Sequence, residues 1–269
     1  MPAELPWTIP IVQATLGTCD SPALAVAVSE AGGLGTLGFH APTLQEATER
    51  LEKLAALTRK TVLLAFTGPW ERDEVLDACI AAGHRHFQVF WWNAPRLVPR
   101  IQAAGALAFQ QIGTLIQLDD ALEREVDGLI AQGTRAGGPV RSPLPLTELI
   151  PAVRTQFSGP LIAGGGLATK SHVSEVLALG ADAALLGTRF LLSQEAIAPE
   201  EHKKALTQAS SNDLLLDTRL IGDWPCAPRR RLPLPGSDHG TSSLEAGLGL
   251  DSIHDIRPAA ELVRLLNPG

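Results

Sequence analysis

The sequence predicts an α/β fold, a (β/α)8 TIM barrel carrying a C-terminal helical and irregular extension. Short apolar runs alternate with longer amphipathic stretches at least seven times before residue 200. The runs are apolar at odd and even positions alike, as parallel strands are when helices cover both faces. Parallel strands need crossover helices between them, which the amphipathic stretches supply. Eight such units in roughly 200 residues match the lower size range of a barrel, whereas an open doubly wound sheet usually holds about five or six strands.

The first run covers residues 9–14 and precedes a helical stretch over 22–31. Gly32 and Gly33 lead into the second run, 34–39, which a polar helix over 43–57 follows. Run three, 62–67, is followed by a helix over 71–82; run four, 86–92, by a helix over 95–104. Run five, 106–111, and a helix over 115–124 precede run six, 128–132. A helix over 147–156, run seven at 160–163, a helix over 170–179 and run eight at 183–186 complete the series. From about residue 200 the pattern breaks. Residues 201–210 and 258–266 read as helices, 225–235 hold four prolines and three consecutive arginines, and 237–250 are rich in Gly and Ser. Residues 1–199 are therefore expected to form the barrel. Residues 200–269, with few apolar runs, are expected to pack on it as an extension and not as an independent domain.

Composition excludes several function classes. The net charge is −7 with only one short basic run, which opposes a nucleic-acid surface. Cys19, Cys79 and Cys226 are odd in number and widely spaced, fitting neither a disulfide framework nor a paired-cysteine metal site, and they suggest a reducing cytoplasm. No apolar run approaches a membrane span and the start lacks a basic signal region, so a soluble cytoplasmic protein acting on a small molecule is expected.

Barrel active sites lie where strands end and the following loops begin. Three Gly-rich clusters fall there: Gln132-Gly133-Thr134-Arg135-Ala136-Gly137-Gly138 after run six, Ala163-Gly164-Gly165-Gly166 after run seven, and Gly187-Thr188-Arg189 after run eight. Glycine lets backbone N–H groups approach a ligand closely, and a helix start adds unpaired donors, so such loops hold phosphate without lysine. The alternative, that these glycines only make tight turns, is weakened by two clusters on consecutive runs that both precede helices.

The order and spacing of several strings resemble the nitronate monooxygenase family, once called 2-nitropropane dioxygenases. They are Ile11-Val12-Gln13-Ala14, the stretch from Leu24 to Gly35 with Gly32-Gly33, Gly128 to Gly133 with Ala136-Gly137-Gly138, Ile162 to Gly166, and Leu179-Gly180-Ala181-Asp182 leading to Gly187-Thr188-Arg189-Phe190. Asp217-Thr218-Arg219 through Arg229 is a looser match. The resemblance implies an FMN across the barrel mouth. Its phosphate would rest on the backbone at Ala163, Gly164, Gly165, Gly187 and Thr188. Gln132, Gly133, Gly137 and Gly138 would lie beside the flavin, and Ala14 and Thr15 would approach its ring system.

The family string after strand six ends Gln-Gly-X-Glu-Ala-Gly-Gly-His, and the histidine takes a proton from a nitroalkane. Here Arg135 replaces the glutamate and Pro139 the histidine, and proline cannot act as a base. The family's methionine after strand one is replaced around Thr15-Leu16, and its asparagine after strand three falls at Phe66 or Thr67. A nitronate is already deprotonated, so activity is expected to favour the anion, which Arg135 would attract if it pointed inward. His40 is a candidate replacement base, and Trp91 or Trp92 a candidate pocket wall. Arg229, Arg230 and Arg231 align with a segment that packs near the family's site. His84 and His86 have no third metal ligand nearby, Cys19 reads as an inert thiol, and Asp238 and His239 lack a nucleophile elbow. Two other readings stand beside nitronate oxidation: a flavin-dependent NAD(P)H oxidoreductase resembling enoyl reductases, and a barrel that binds FMN or another phosphate ligand without catalysis.

Overall fold

A computed structural model describes residues 5–39, 43–68, 73–218, 227–233 and 243–269. Its centre is an eight-stranded sheet made of β1 (Ile11–Gln13), β2 (Gly35–Gly38), β3 (Val62–Phe66), β4 (His86–Val89), β5 (Leu107–Ile112), β6 (Gly128–Gln132), β8 (Leu161–Gly164) and β9 (Ala183–Leu186). Every ladder is parallel, in the order β1-β9-β8-β6-β5-β4-β3-β2. The two end strands meet where Val12 bridges Leu34, with Gln13 N donating to Leu34 O at 3.0 Å and Leu34 N to Ile11 O at 2.9 Å. The sheet thus closes on itself as the predicted barrel.

Two apolar layers follow from the strands' period of two. Val12, Leu34, Leu63, Phe109, Ile130 and Ile162 point inward and fill the barrel. Their alternates, including Ile11, Leu64, Ala131 and Ala163, pack outward against the helices. These are α1 (Pro22–Glu30), α2 (Leu44–Leu57), α3 (Asp73–Ala81), α4 (Ala94–Ala103), α5 (Leu115–Glu123), α6 (Leu146–Arg154) and α7 (Lys170–Ala178). Several begin where a hydroxyl side chain caps the first turn. Ser21 accepts from Leu24 N at 2.9 Å ahead of Pro22, while Thr43 with Glu46 and Thr114 with Gln117 form capping boxes. Gly35 is required by close packing, because a Cβ there would run into the Ala25 carbonyl of α1.

The segment after β9 contains more regular structure than its composition predicts. A short helix, α8 (Thr188–Leu191), leaves β9, and α9 (Glu200–Gln208) follows. Then come three antiparallel strands, β10 (Leu215–Asp217), β11 (Arg229–Pro233) and β12 (Ser243–Glu245). β11 also pairs with β7 (Gly138–Pro139), a two-residue strand in the loop after β6. Arginine in a strand core hides the alternation that marks strands, and pairing explains how it is tolerated. Arg231 and Asp217 are both buried and form an ion pair, and Arg230 donates to the carbonyls of Thr134 and Ala136, both at 2.6 Å. Leu206, Leu232, Leu244, Ala246 and Leu250 join Leu191 and Leu192 in a second apolar cluster. The chain ends with α10 (Ala259–Leu266), whose buried face packs on α1 and α7.

Candidate active site

Above the inward apolar layer, the next inward positions line a cavity of about 640 Å³ at the C-terminal ends of the strands. Two residues beyond Val12 is Ala14; beyond Phe109, Gln111; beyond Ile130, Gln132; beyond Ile162, Gly164; and beyond Leu185, Gly187. Phe90 just after β4 and Thr67 just after β3 also line it, with Gln88 one layer deeper, level with Phe109. The floor is therefore rich in side-chain amides. Gln88 Nε2 donates to Gln111 Oε1 at 2.9 Å, while Gln88 Oε1 and Gln132 Oε1 are buried with no hydrogen-bond partner among the described residues. A buried acceptor without a donor is costly, and both of these belong to cavity-lining residues.

The loops after β8 and β9 lie side by side because those strands are neighbours, with Gly164 opposite Leu185. Gly165 and Gly166 have φ of +139° and +75°, a backbone region open to glycine and closed to most other residues. Gly187 is different: a Cβ added there would have only the Ala14 Cβ within 4 Å, at 3.7 Å. Its missing side chain leaves space in the cavity. Thr188 Oγ1 accepts from Gly247 N at 3.0 Å, which ties the tail to this loop.

The rim is held by two polar anchors. Asp20 is buried beneath the loop after β1, where its Oδ2 accepts from Thr15 Oγ1 at 2.6 Å and Gly38 N at 3.1 Å. Its Oδ1 accepts from Leu16 N at 2.8 Å and Gln13 Nε2 at 3.3 Å. Burial pushes the Asp20 carboxyl up to about 6 despite these hydrogen bonds. From the tail, Arg229 Nε donates to Glu245 Oε1 at 2.6 Å, and both residues line the cavity.

Of the residues singled out in the sequence, Ala14, Thr15, Gln132, Gly137, Gly138, Gly164, Gly165, Gly187 and Thr188 all line this one cavity. Gly133 and Ala163 do not. They fall on the other parity: Ala163 belongs to the barrel–helix core, and a Cβ on Gly133 would meet Leu146 Cγ at 2.8 Å. Arg135 is exposed and donates to Leu248 O at 3.3 Å, and it is not among the cavity's lining residues. Trp91 stacks on Phe90 at 4.8 Å and Trp92 lies edge-on to it at 5.5 Å, so Phe90, not either tryptophan, forms the wall. Of the three arginines, Arg229 reaches the cavity; Arg230 holds the loop after β6 and Arg231 pairs with Asp217. His40, Cys226, Asp238 and His239 lie outside the described residues.

Sequence reasoning missed Gln88, Gln111, Glu245 and the α9 residue His202, all of which line the cavity. Polar residues near the end of an apolar run were the available signal, Gln88 alone in its run and Gln111 beside Gln110. Nothing local marks Glu245 or His202, which arrive from the tail.

The sequence model of nitronate monooxygenases matches residues 78–224, more than half of the chain. The chain belongs to the nitronate monooxygenase family. Nitronate monooxygenase npaC of Metarhizium robertsii is 29% identical over 294 residues, covering 94% of this chain and 80% of the relative. Also similar is a (3aS,4S,5R,7aS)-5-hydroxy-7a-methyl-1-oxo-octahydro-1H-indene-4-carboxyl-CoA dehydrogenase of Mycobacterium tuberculosis, 29% identical over 217 residues and 79% of this chain. This nitronate monooxygenase family member spans 61% of that dehydrogenase's length and 60% of its Rhodococcus jostii counterpart. Among solved structures, FabK of Thermotoga maritima superposes with a TM-score of 0.86 at 23% identity, covering 97% of this chain and 92% of FabK. Nitroalkane oxidase of Streptomyces ansochromogenes superposes at 0.83 and 24%, covering 97% and 95% of the two chains. At such identities the two structures speak for the barrel alone.

Proposed function

We propose that this chain is an FMN-dependent oxidoreductase that oxidises alkyl nitronates with O2. The observation that carries the reading is the adjacency of the Gly164-Gly165 and Gly187-Thr188 loops in a roomy cavity that side-chain amides also line. The volume falls within the range of small-molecule and cofactor sites. The gap at Gly187 is a cradle for a phosphate, which needs N–H donors and no lysine. The unpartnered acceptors Gln88 Oε1 and Gln132 Oε1 suit a ring system that carries its own N–H donor. These residues fit a flavin mononucleotide.

When bound, the flavin supplies the electron transfer and the reaction with oxygen. The protein's part is binding and orientation. The loops after β8 and β9 would hold its phosphate, and Gln132, Gln88, Ala14 and Thr15 are the residues that would meet its ring system. Phe90, Leu185 and Leu191 keep the reacting face apolar. Arg229 sits on the rim, where a cation attracts an anionic substrate.

The test is direct. Protein loaded with FMN is mixed anaerobically with ethylnitronate and then with oxygen. Bleaching of the flavin followed by reoxidation is the expected result. Bleaching by NADH or NADPH but not by ethylnitronate would replace this reading with a reductase, and a flavoprotein that answers to neither would make it a binding barrel.

A further inference from the structure

A nitroalkane differs from its nitronate by one proton on carbon, so a site that accepts the neutral compound needs a base facing its cavity. Glu245 supplies the only carboxylate among the described residues that line this cavity. It arrives from β12, at the far edge of the small sheet, and stands against the loop after β6. Its Oε2 lies 2.9 Å from where a Cβ on Gly138 would be, which sets the carboxylate against this loop, and Gly138 has φ +66°, a conformation that favours glycine. The neighbouring residue, Pro139, lines the same cavity and accepts no proton. Among the described residues, Arg229 engages Oε1 of Glu245 and no hydrogen bond reaches Oε2. The pair places one carboxylate oxygen toward the loop that borders the cavity and a guanidinium beside the other.

We infer that Glu245, supplied by the tail and held by Arg229, is the proton acceptor that lets this site take neutral nitroalkanes. The inference rests on the proposed nitronate chemistry. The Cα–H bond breaks, its electron pair becomes the C=N bond of the nitronate, and the proton goes to the Glu245 carboxylate, which becomes neutral. The new negative charge on the nitro oxygens then faces Arg229 and an uncharged acid instead of a carboxylate. An ionised Glu245, conversely, repels a preformed nitronate. The preference for the anion expected from Pro139 alone is thereby revised: both forms are substrates, and Glu245 decides their ratio.

The experiment uses the FMN-loaded protein and nitroethane deuterated at Cα. Anaerobic loss of deuterium to solvent, followed by NMR, reports proton abstraction without any flavin turnover. Wild type is expected to exchange, and Glu245→Gln to lose about 100-fold or more of that rate while keeping its FMN. Oxidation of preformed ethylnitronate by the same variant is expected to change far less than exchange does, so that the loss falls mainly on the neutral substrate. Glu245→Asp, with the charge retained at shorter reach, should keep measurable exchange and the acid limb of its pH profile. The other titratable groups lining the cavity, Arg229, Cys19 and His202, are unchanged in both variants and serve as the background. Exchange in Glu245→Gln at the wild-type rate, or no exchange in wild type, overturns the inference. Exchange by a wild type that oxidises neither substrate would leave Glu245 as the base and sink the nitronate reading instead.

Discussion

Gly187 and Asp20 show what single positions do for this site. A valine at 187 meets almost no protein, because a Cβ there has one neighbour within 4 Å. It does fill the space reserved for the ligand. Gly187→Val is therefore expected to weaken FMN binding by about 10- to 100-fold, the scale of 1–3 kcal/mol for overpacking. The thermal midpoint of the unloaded protein should move by no more than about 2 °C. Flavin titration and thermal melts of the same samples check this, and unchanged affinity would remove Gly187 from the phosphate site. For Asp20 the sign is set by burial. A carboxyl pushed up to about 6 in the folded state, against about 4 unfolded, holds its proton more tightly when folded. Its contribution to stability is then full below pH 4 and is lost as the pH rises through 6, by up to about 3 kcal/mol. Urea unfolding across pH 4–7 should show wild type losing about that much stability relative to Asp20→Asn as the pH rises; parallel curves would contradict it. At this scale the cavity-lining glycines Gly164, Gly165 and Gly187 were legible in the sequence because their composition is unusual. That Gly133 and Ala163 do not line the cavity could not be read in advance, because a run that is apolar at every position does not reveal which parity faces inward.

At the scale of elements, the loop after β6 depends on the tail more than on itself. Arg230 donates to the Thr134 and Ala136 carbonyls, β7 pairs with β11, and Leu248 N donates to Arg135 O at 2.9 Å. Removing the guanidinium leaves two carbonyls without their donor, a loss of about 2–3 kcal/mol for charge-assisted bonds. Arg230→Met is expected to unfold at correspondingly lower denaturant and to speed amide exchange across residues 134–139, while strands β3 to β5 keep their protection. Uniform loss of protection would mean that Arg230 supports the whole fold and not this loop. The helices and barrel strands could be read from periodicity, whereas β10 to β12 could not. A strand reading Arg-Arg-Arg-Leu-Pro carries no alternation, and its stability comes from partners 14 to 96 residues away, namely Asp217, Glu245 and the carbonyls of the β6 loop. That distance is also why Glu245 escaped notice.

For the whole molecule, one closed parallel sheet does most of the positioning. Closure through Val12 and Leu34 brings the ends of eight strands into one ring, so residues from 14 to 188 share a single cavity. The tail then adds a second wall. The central claim is that this ring and wall hold a flavin mononucleotide. The measurement that tests it is the visible absorption of the purified protein after incubation with FMN and removal of excess, with mass spectrometry of what denaturation releases. A yellow protein releasing one FMN per chain is the predicted result. A colourless protein that retains none would contradict it.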